Sequence, residues 1–124
     1  MKTILYIALG GGLGSVLRYL TSVVMNKYVQ SSFPLATFVT NILGCLLIGL
    51  FFGYLEKHNA ISQDLKFFLI TGFCGGYTTF STFSHENLQL MQGNQMVMAF
   101  LYISLSVFLG LLATWSGLTL AKAL

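Results

Sequence analysis

The stretch Gly72-Phe73-Cys74-Gly75-Gly76-Tyr77-Thr78-Thr79-Phe80-Ser81-Thr82-Phe83-Ser84 concentrates most of the groups in this chain that could handle an ion. Two adjacent glycines followed by two β-branched threonines make a poor helix, and they fall near the middle of a long apolar segment. Broken backbone at membrane depth survives only where protein buries it or where it lines a cavity. Its freed carbonyls can bind a cation, as unwound helices do in transporters. Thr79, Ser81, Thr82 and Ser84 add hydroxyls, and Phe80 and Phe83, three apart, share one helix face. Core packing is the ordinary role of such an aromatic pair. Here the pair follows directly on a helix break, which weakens that ordinary reading.

Polar groups inside apolar segments are the next candidates, since lipid makes them costly. Asn41, flanked by Thr37 and Thr40, shares a helical face with Gly44 and Ile48 and so points at protein. Interhelical hydrogen bonding is the plain alternative to an ion contact there. Arg18 can snorkel to the surface or face a water-filled vestibule and concentrate anions in it. Glu86 lies late in the third apolar segment. Cys45 and Cys74 fall in apolar stretches without metal-ligand spacing and read as small buried hydrophobes. His58 and His85 have no third partner for a triad or metal site, and no base lies beside the hydroxyls to activate a nucleophile. The chain does not read as an enzyme.

The elements that must position these residues are membrane helices. Of 124 residues, 56% are hydrophobic and only 7% charged, against about 25% charged in soluble domains. A surface this poor in charge has lipid for a solvent. Four segments reach the roughly 20 apolar residues a spanning helix needs: about 3–25, 33–55, 65–90 and 95–121. Short polar breaks separate them, and the four spans make a single transmembrane domain over residues 1–124. The opening Met1-Lys2-Thr3 lacks the small-residue cleavage site of a signal peptide, so the first segment reads as a retained span. Gly10 and Gly14, like Gly49 and Gly53, stand four apart and permit close helix approach. The basic residues sit near span ends, which suits headgroup anchoring and argues against a nucleic-acid partner.

On these residues the chain resembles the Fluc (CrcB) family of bacterial fluoride channels. The likeness covers four spans of this length, Gly11-x-x-Gly14-x-x-x-Arg18-Tyr19 in span one, Asn41 in span two, and Gly72 to Phe83 in span three. The resemblance implies an antiparallel, dual-topology homodimer with two fluoride pores and a broken third helix. It implies a structural sodium ion at the dimer centre, bound by backbone carbonyls of Gly75 and Thr78. Phe80, Phe83 and Asn41 would line the pore, with the hydroxyls of Thr79, Ser81 and Thr82 nearby. Tyr102, Ser106 and Thr114 would form a hydroxyl track in span four, interrupted at Gly110, which offers no side-chain donor. Arg18 and Glu86 would belong to the vestibule. The implied function is passive, fluoride-selective export across the bacterial cytoplasmic membrane that limits fluoride toxicity.

Two points pull against parts of this picture. Lys2, Lys57, Lys66 and Lys122 lie on the side of the termini and Lys27 opposite, a bias that favours one orientation under the positive-inside rule. Dual insertion calls for near balance. The alternative function is a proton-coupled, small multidrug-type exporter, which needs a membrane-embedded carboxylate; Glu86 is the candidate. A non-transporting scaffold subunit would explain the glycine pairs but not the broken span.

Overall fold

The computed structural model describes residues 1–59 and 62–124; residues 60 and 61, within the expected polar break 56–64, lie outside that description. The described residues are helical almost throughout, with no strand among them. Helices α1 (Lys2–Tyr28), α2 (Leu35–Lys57) and α6 (Met96–Ala123) hold 27, 23 and 28 residues. All three are long and apolar enough to cross a membrane, since about 1.5 Å of rise per residue carries each past roughly 30 Å of hydrocarbon. They match the expected spans 3–25, 33–55 and 95–121 with ends shifted by a few residues.

The expected span 65–90 is made of pieces. Helix α3 (Gln63–Lys66) starts under Ser62, whose hydroxyl accepts from the Leu65 amide at 3.3 Å. It runs into a π-helical segment, Phe67–Cys74, and then a single turn, α4 (Gly75–Tyr77). Thr78 and Thr79 are extended, with ψ of 157° and 120°. Helix α5 (Phe80–Gln92) completes the span. The break therefore falls on the two β-branched threonines, while Gly75 and Gly76 stay helical. The turn into α6 passes through Asn94 at φ 61°, a left-handed conformation that asparagine tolerates better than most side chains.

Glycines decide which helices touch. A Cβ on Gly10 would collide with the Phe68 carbonyl, and one on Gly14 with the Phe73 carbonyl. Helix α1 thus lies backbone to backbone against the first half of the broken span, and the two run parallel. Gly49 meets the Thr114 carbonyl and Gly117 meets the Leu46 carbonyl in the same way, so α2 and α6 form a second parallel pair. The two four-apart glycine pairs seen in the sequence thus serve different helix pairs. Between these pairs lie the threonine break and α5. Gly44 of α2 faces the Thr78 side chain, and α5 reaches α6 through the Phe83 and Tyr102 rings. At the end holding Lys57, the C-termini of α2 and α6 meet: the Lys57 ammonium donates to the Lys122 carbonyl at 3.2 Å, and Lys122 pairs with Glu56 at 3.6 Å. The outer face of α6 leaves Phe100, Phe108, Leu111 and Trp115 exposed. An apolar belt of this size suits lipid contact rather than water.

Candidate ion-binding site at the helix break

Side chains from two helices hold the break open. The Asn41 amide takes both backbone groups of Thr79: its Oδ1 accepts from the Thr79 N–H at 2.8 Å and its Nδ2 donates to the Thr79 carbonyl at 3.1 Å. That pairing fixes the amide's orientation, since an N–H needs an oxygen opposite it. From α1, the Arg18 Nε donates to the Gly76 carbonyl at 3.1 Å, and the Thr21 and Tyr77 hydroxyls lie 3.0 Å apart. The Thr79 hydroxyl caps α5 by accepting from the Thr82 amide at 3.3 Å, the standard service of a threonine at a helix start. Arg18 is thus engaged on the broken helix itself, with its Nε committed there.

An open cavity of about 420 Å³ lies beside the break. Asn41, Thr79, Phe80, Phe83 and Ser106 line it, together with Gly75 and Thr78. These expected site residues, drawn from three spans, meet in one place. The Phe80 and Phe83 rings have centroids 5.8 Å apart, and Phe80 is 78% exposed. Ser106 brings a buried hydroxyl with no partner among the described residues. The other members of the expected span-four track are committed elsewhere. Thr114 donates to the Cys45 carbonyl at 3.1 Å and Tyr102 donates to Glu86 at 2.8 Å. Ser81 is exposed, with its hydroxyl 3.4 Å from that of Thr79. Thr82 turns the other way, into a polar cavity of about 230 Å³ that also contains Thr37 and Glu86.

Glu86 is a junction. Its Oε2 accepts from the Thr37 hydroxyl at 2.9 Å and its Oε1 from Tyr102. Thr37 and Tyr102 are both buried, and the carboxylate also borders a second polar cavity of about 330 Å³. Sequence reasoning placed Thr37 only as a neighbour of Asn41. Its spacing of four from Asn41 was the available signal, because it puts both side chains on one face of α2.

Residues 5–118 match the family model described as CrcB-like protein, Camphor Resistance (CrcB). The chain belongs to the CrcB family. It is 79% identical to the fluoride-specific ion channel FluC of Flavobacterium psychrophilum over the whole of both chains. It is 46% identical to the protein of the same name from Bacteroides fragilis over 94% of each chain. With that of Pseudomonas fluorescens it shares 41% identity over 98% of each.

The donors of this CrcB chain suit a hard cation. In a continuous helix the Gly75 and Thr78 carbonyls would accept from the Thr79 and Thr82 amides. Those amides go instead to Asn41 and to the Thr79 hydroxyl, so the break deprives both carbonyls of their helical donors. Carbonyl oxygens suit an alkali or alkaline-earth ion rather than a transition metal. Among the described residues no cluster of three His, Cys, Asp or Glu could hold a metal. Two carbonyls are too few for such an ion, which takes about six oxygens when it is calcium.

Proposed function

We propose that this chain is a passive, fluoride-selective channel that lets the anion leave the bacterial cytoplasm and limits its toxicity. The observation that carries the reading is the break at Thr78–Thr79, which starts α5 beside the cavity lined by Phe80 and Phe83. A helix start offers N–H groups without helical partners and the positive end of the peptide dipoles, a setting that favours small anions. Fluoride is strongly hydrated, so a pore must replace its water with converging donors. The Asn41 side chain, the Ser106 hydroxyl and the Phe80 and Phe83 rings line one cavity here, beside the start of α5. The relatives named as fluoride-specific channels support the same substrate. Asn41, Phe80 and Phe83 are the pore residues of this reading, with Thr79 and Ser106 beside them; Thr82 shares a cavity with Glu86 on the vestibule side, where this reading also puts Arg18.

The working unit of this reading is an antiparallel homodimer with two pores, inserted in both orientations in the cytoplasmic membrane. Two features support a second copy. The cavity is open along one side of the chain, and the paired Gly75 and Thr78 carbonyls need further oxygens to complete a cation site. Sodium held by these carbonyls from both copies would neutralise the negative ends of two broken helices. The exporter alternative finds no support, because the relatives are named as channels and both oxygens of Glu86 already accept hydrogen bonds.

The deciding experiment is anion efflux from liposomes carrying the purified protein under an outward gradient. Fast fluoride loss with chloride retained supports the channel; no movement of either anion through folded protein overturns it. Removal of sodium should weaken the dimer or its flux, and indifference to sodium would remove the metal from the proposal.

A further inference from the structure

We infer that Glu86 and Tyr102, together with Thr37, brace the ring of Phe83, and that they act on fluoride through that ring rather than as ligands. The flux test of this brace rests on the channel reading; its structural test does not.

The brace joins three helices. Tyr102 of α6 is 0% exposed and its hydroxyl donates to Glu86 of α5 at 2.8 Å. Thr37 of α2, 7% exposed, donates to the other Glu86 oxygen at 2.9 Å. A hydroxyl has one proton to give, so Tyr102 and Thr37 each spend theirs on the carboxylate. Both Glu86 oxygens act as acceptors, which leaves nothing on this side chain to donate to an anion. A hydrogen bond to a carboxylate is among the stronger kinds, and here it anchors the hydroxyl end of a tyrosine whose ring is packed edge-on against Phe33 and Phe83.

That ring is the wall behind Phe83. The centroids of Tyr102 and Phe83 lie 4.8 Å apart with the rings at 65°, an edge-to-face contact. Phe33 closes on Tyr102 from another side at 5.3 Å and 69°. The two cavity phenylalanines therefore differ. Phe83 is backed by a locked aromatic, whereas Phe80 stands 78% exposed with the Phe83 ring as its aromatic neighbour. The orientation of Phe83 carries chemical weight, because a ring edge attracts an anion and a ring face repels it. Loosening the brace would let Phe83 show the wrong part of its quadrupole to the pore.

The test combines a double-mutant cycle with a ring-dynamics measurement on the full-length protein in liposomes or detergent. Tyr102→Leu should lower fluoride efflux by about 10-fold, close to the loss from Phe83→Leu. In the Phe83→Leu background it should add less than about 2-fold, because partners in one network are not additive. Glu86→Ala should cost more than Glu86→Gln, which keeps an acceptor oxygen for Tyr102. In protein with labelled phenylalanine rings, NMR should show faster flipping of Phe83 in Tyr102→Phe and Glu86→Ala, with Phe80 unchanged. Independent, additive losses from Tyr102→Leu and Phe83→Leu would make Tyr102 a direct ligand and overturn the brace, as would an unaltered Phe83 flip rate. If the unmutated protein moves no fluoride, the channel reading fails and the flip rates alone decide the brace.

Discussion

The two halves of the broken span solve opposite problems. Before the break, the segment from Phe67 to Tyr77 is locked to α1. Gly10, Gly14, Gly72 and Gly76 bring backbones into contact, Cys74 and Tyr77 are buried, and Arg18 and Thr21 engage its end. After the break, α5 leaves Phe80, Ser81, Thr82, Ser84 and His85 exposed. One half is anchored so that the other can be presented. Small residues at a close contact make the first half rigid, and the extended threonines stop that packing from continuing into the second.

The largest expected effect comes from disturbing the anchored half. A Cβ at Gly14 already collides with the Phe73 carbonyl and would sit 2.9 Å from the Tyr77 amide. Both are backbone atoms with no rotamer to yield. Gly14→Val should therefore abolish folded protein, since overpacking costs about 1–3 kcal/mol per site even where side chains can move. Yield and monodispersity on gel filtration in detergent would check it; normal recovery would mean that the α1 contact is looser than its geometry.

The matching change in the presented half is Phe80→Leu. Phe80 is 78% exposed, so its removal leaves no cavity in the chain's own core. Folded protein should be recovered in full, while fluoride efflux per protein falls by about 10-fold, equivalent to about 1.4 kcal/mol on the barrier. A variant that fails to fold would erase the contrast between the halves. One that conducts normally would take this ring out of the mechanism.

Asn41 tests the join. Asn41→Ala removes two hydrogen bonds and strands the Thr79 N–H and carbonyl. Unsatisfied backbone groups of this kind cost about 1–3 kcal/mol, so thermal unfolding should move down measurably. Asn41→Asp keeps the oxygen that accepts from the Thr79 N–H but sets a second oxygen against the Thr79 carbonyl, so it should recover stability only at low pH, where a protonated carboxyl can donate. Equal stability of all three would show that the break holds itself open without α2.

Much of this arrangement is legible in the sequence, for reasons that particular residues make plain. Apolar segments of spanning length need no partner to be recognised, so three spans emerge with small boundary errors. Thr78 and Thr79 announce the break because β-branched residues after two glycines weaken a helix locally. The π-helical segment Phe67–Cys74, packed against α1, leaves no mark in composition or periodicity. The commitments of Arg18, Thr114 and Tyr102 are also invisible. Each side chain reaches a backbone or carboxylate oxygen on another helix, 58, 69 and 16 residues away in the chain. Gly110 is the instructive case. In sequence it is a gap in the hydroxyl track; in the structure it is buried, and a Cβ there would sit 3.4 Å from the Cys45 sulfur.

The smallest expected effect separates two jobs that one residue could hold. Thr79 caps α5 through its hydroxyl and also lines the cavity beside Phe80. Thr79→Val keeps the shape and removes the oxygen, which should cost about 1 kcal/mol of stability, the usual worth of an N-cap. Thr79→Ser restores an oxygen that can accept from the Thr82 amide and should return most of that stability. If capping is the whole role, fluoride efflux normalised to folded protein will be the same for Ser and Val. A lower flux in Val than in Ser, at equal folded protein, would mean that the hydroxyl also meets the ion. The presented half would then reach back into the break itself, and the boundary between anchor and pore would move to Thr78.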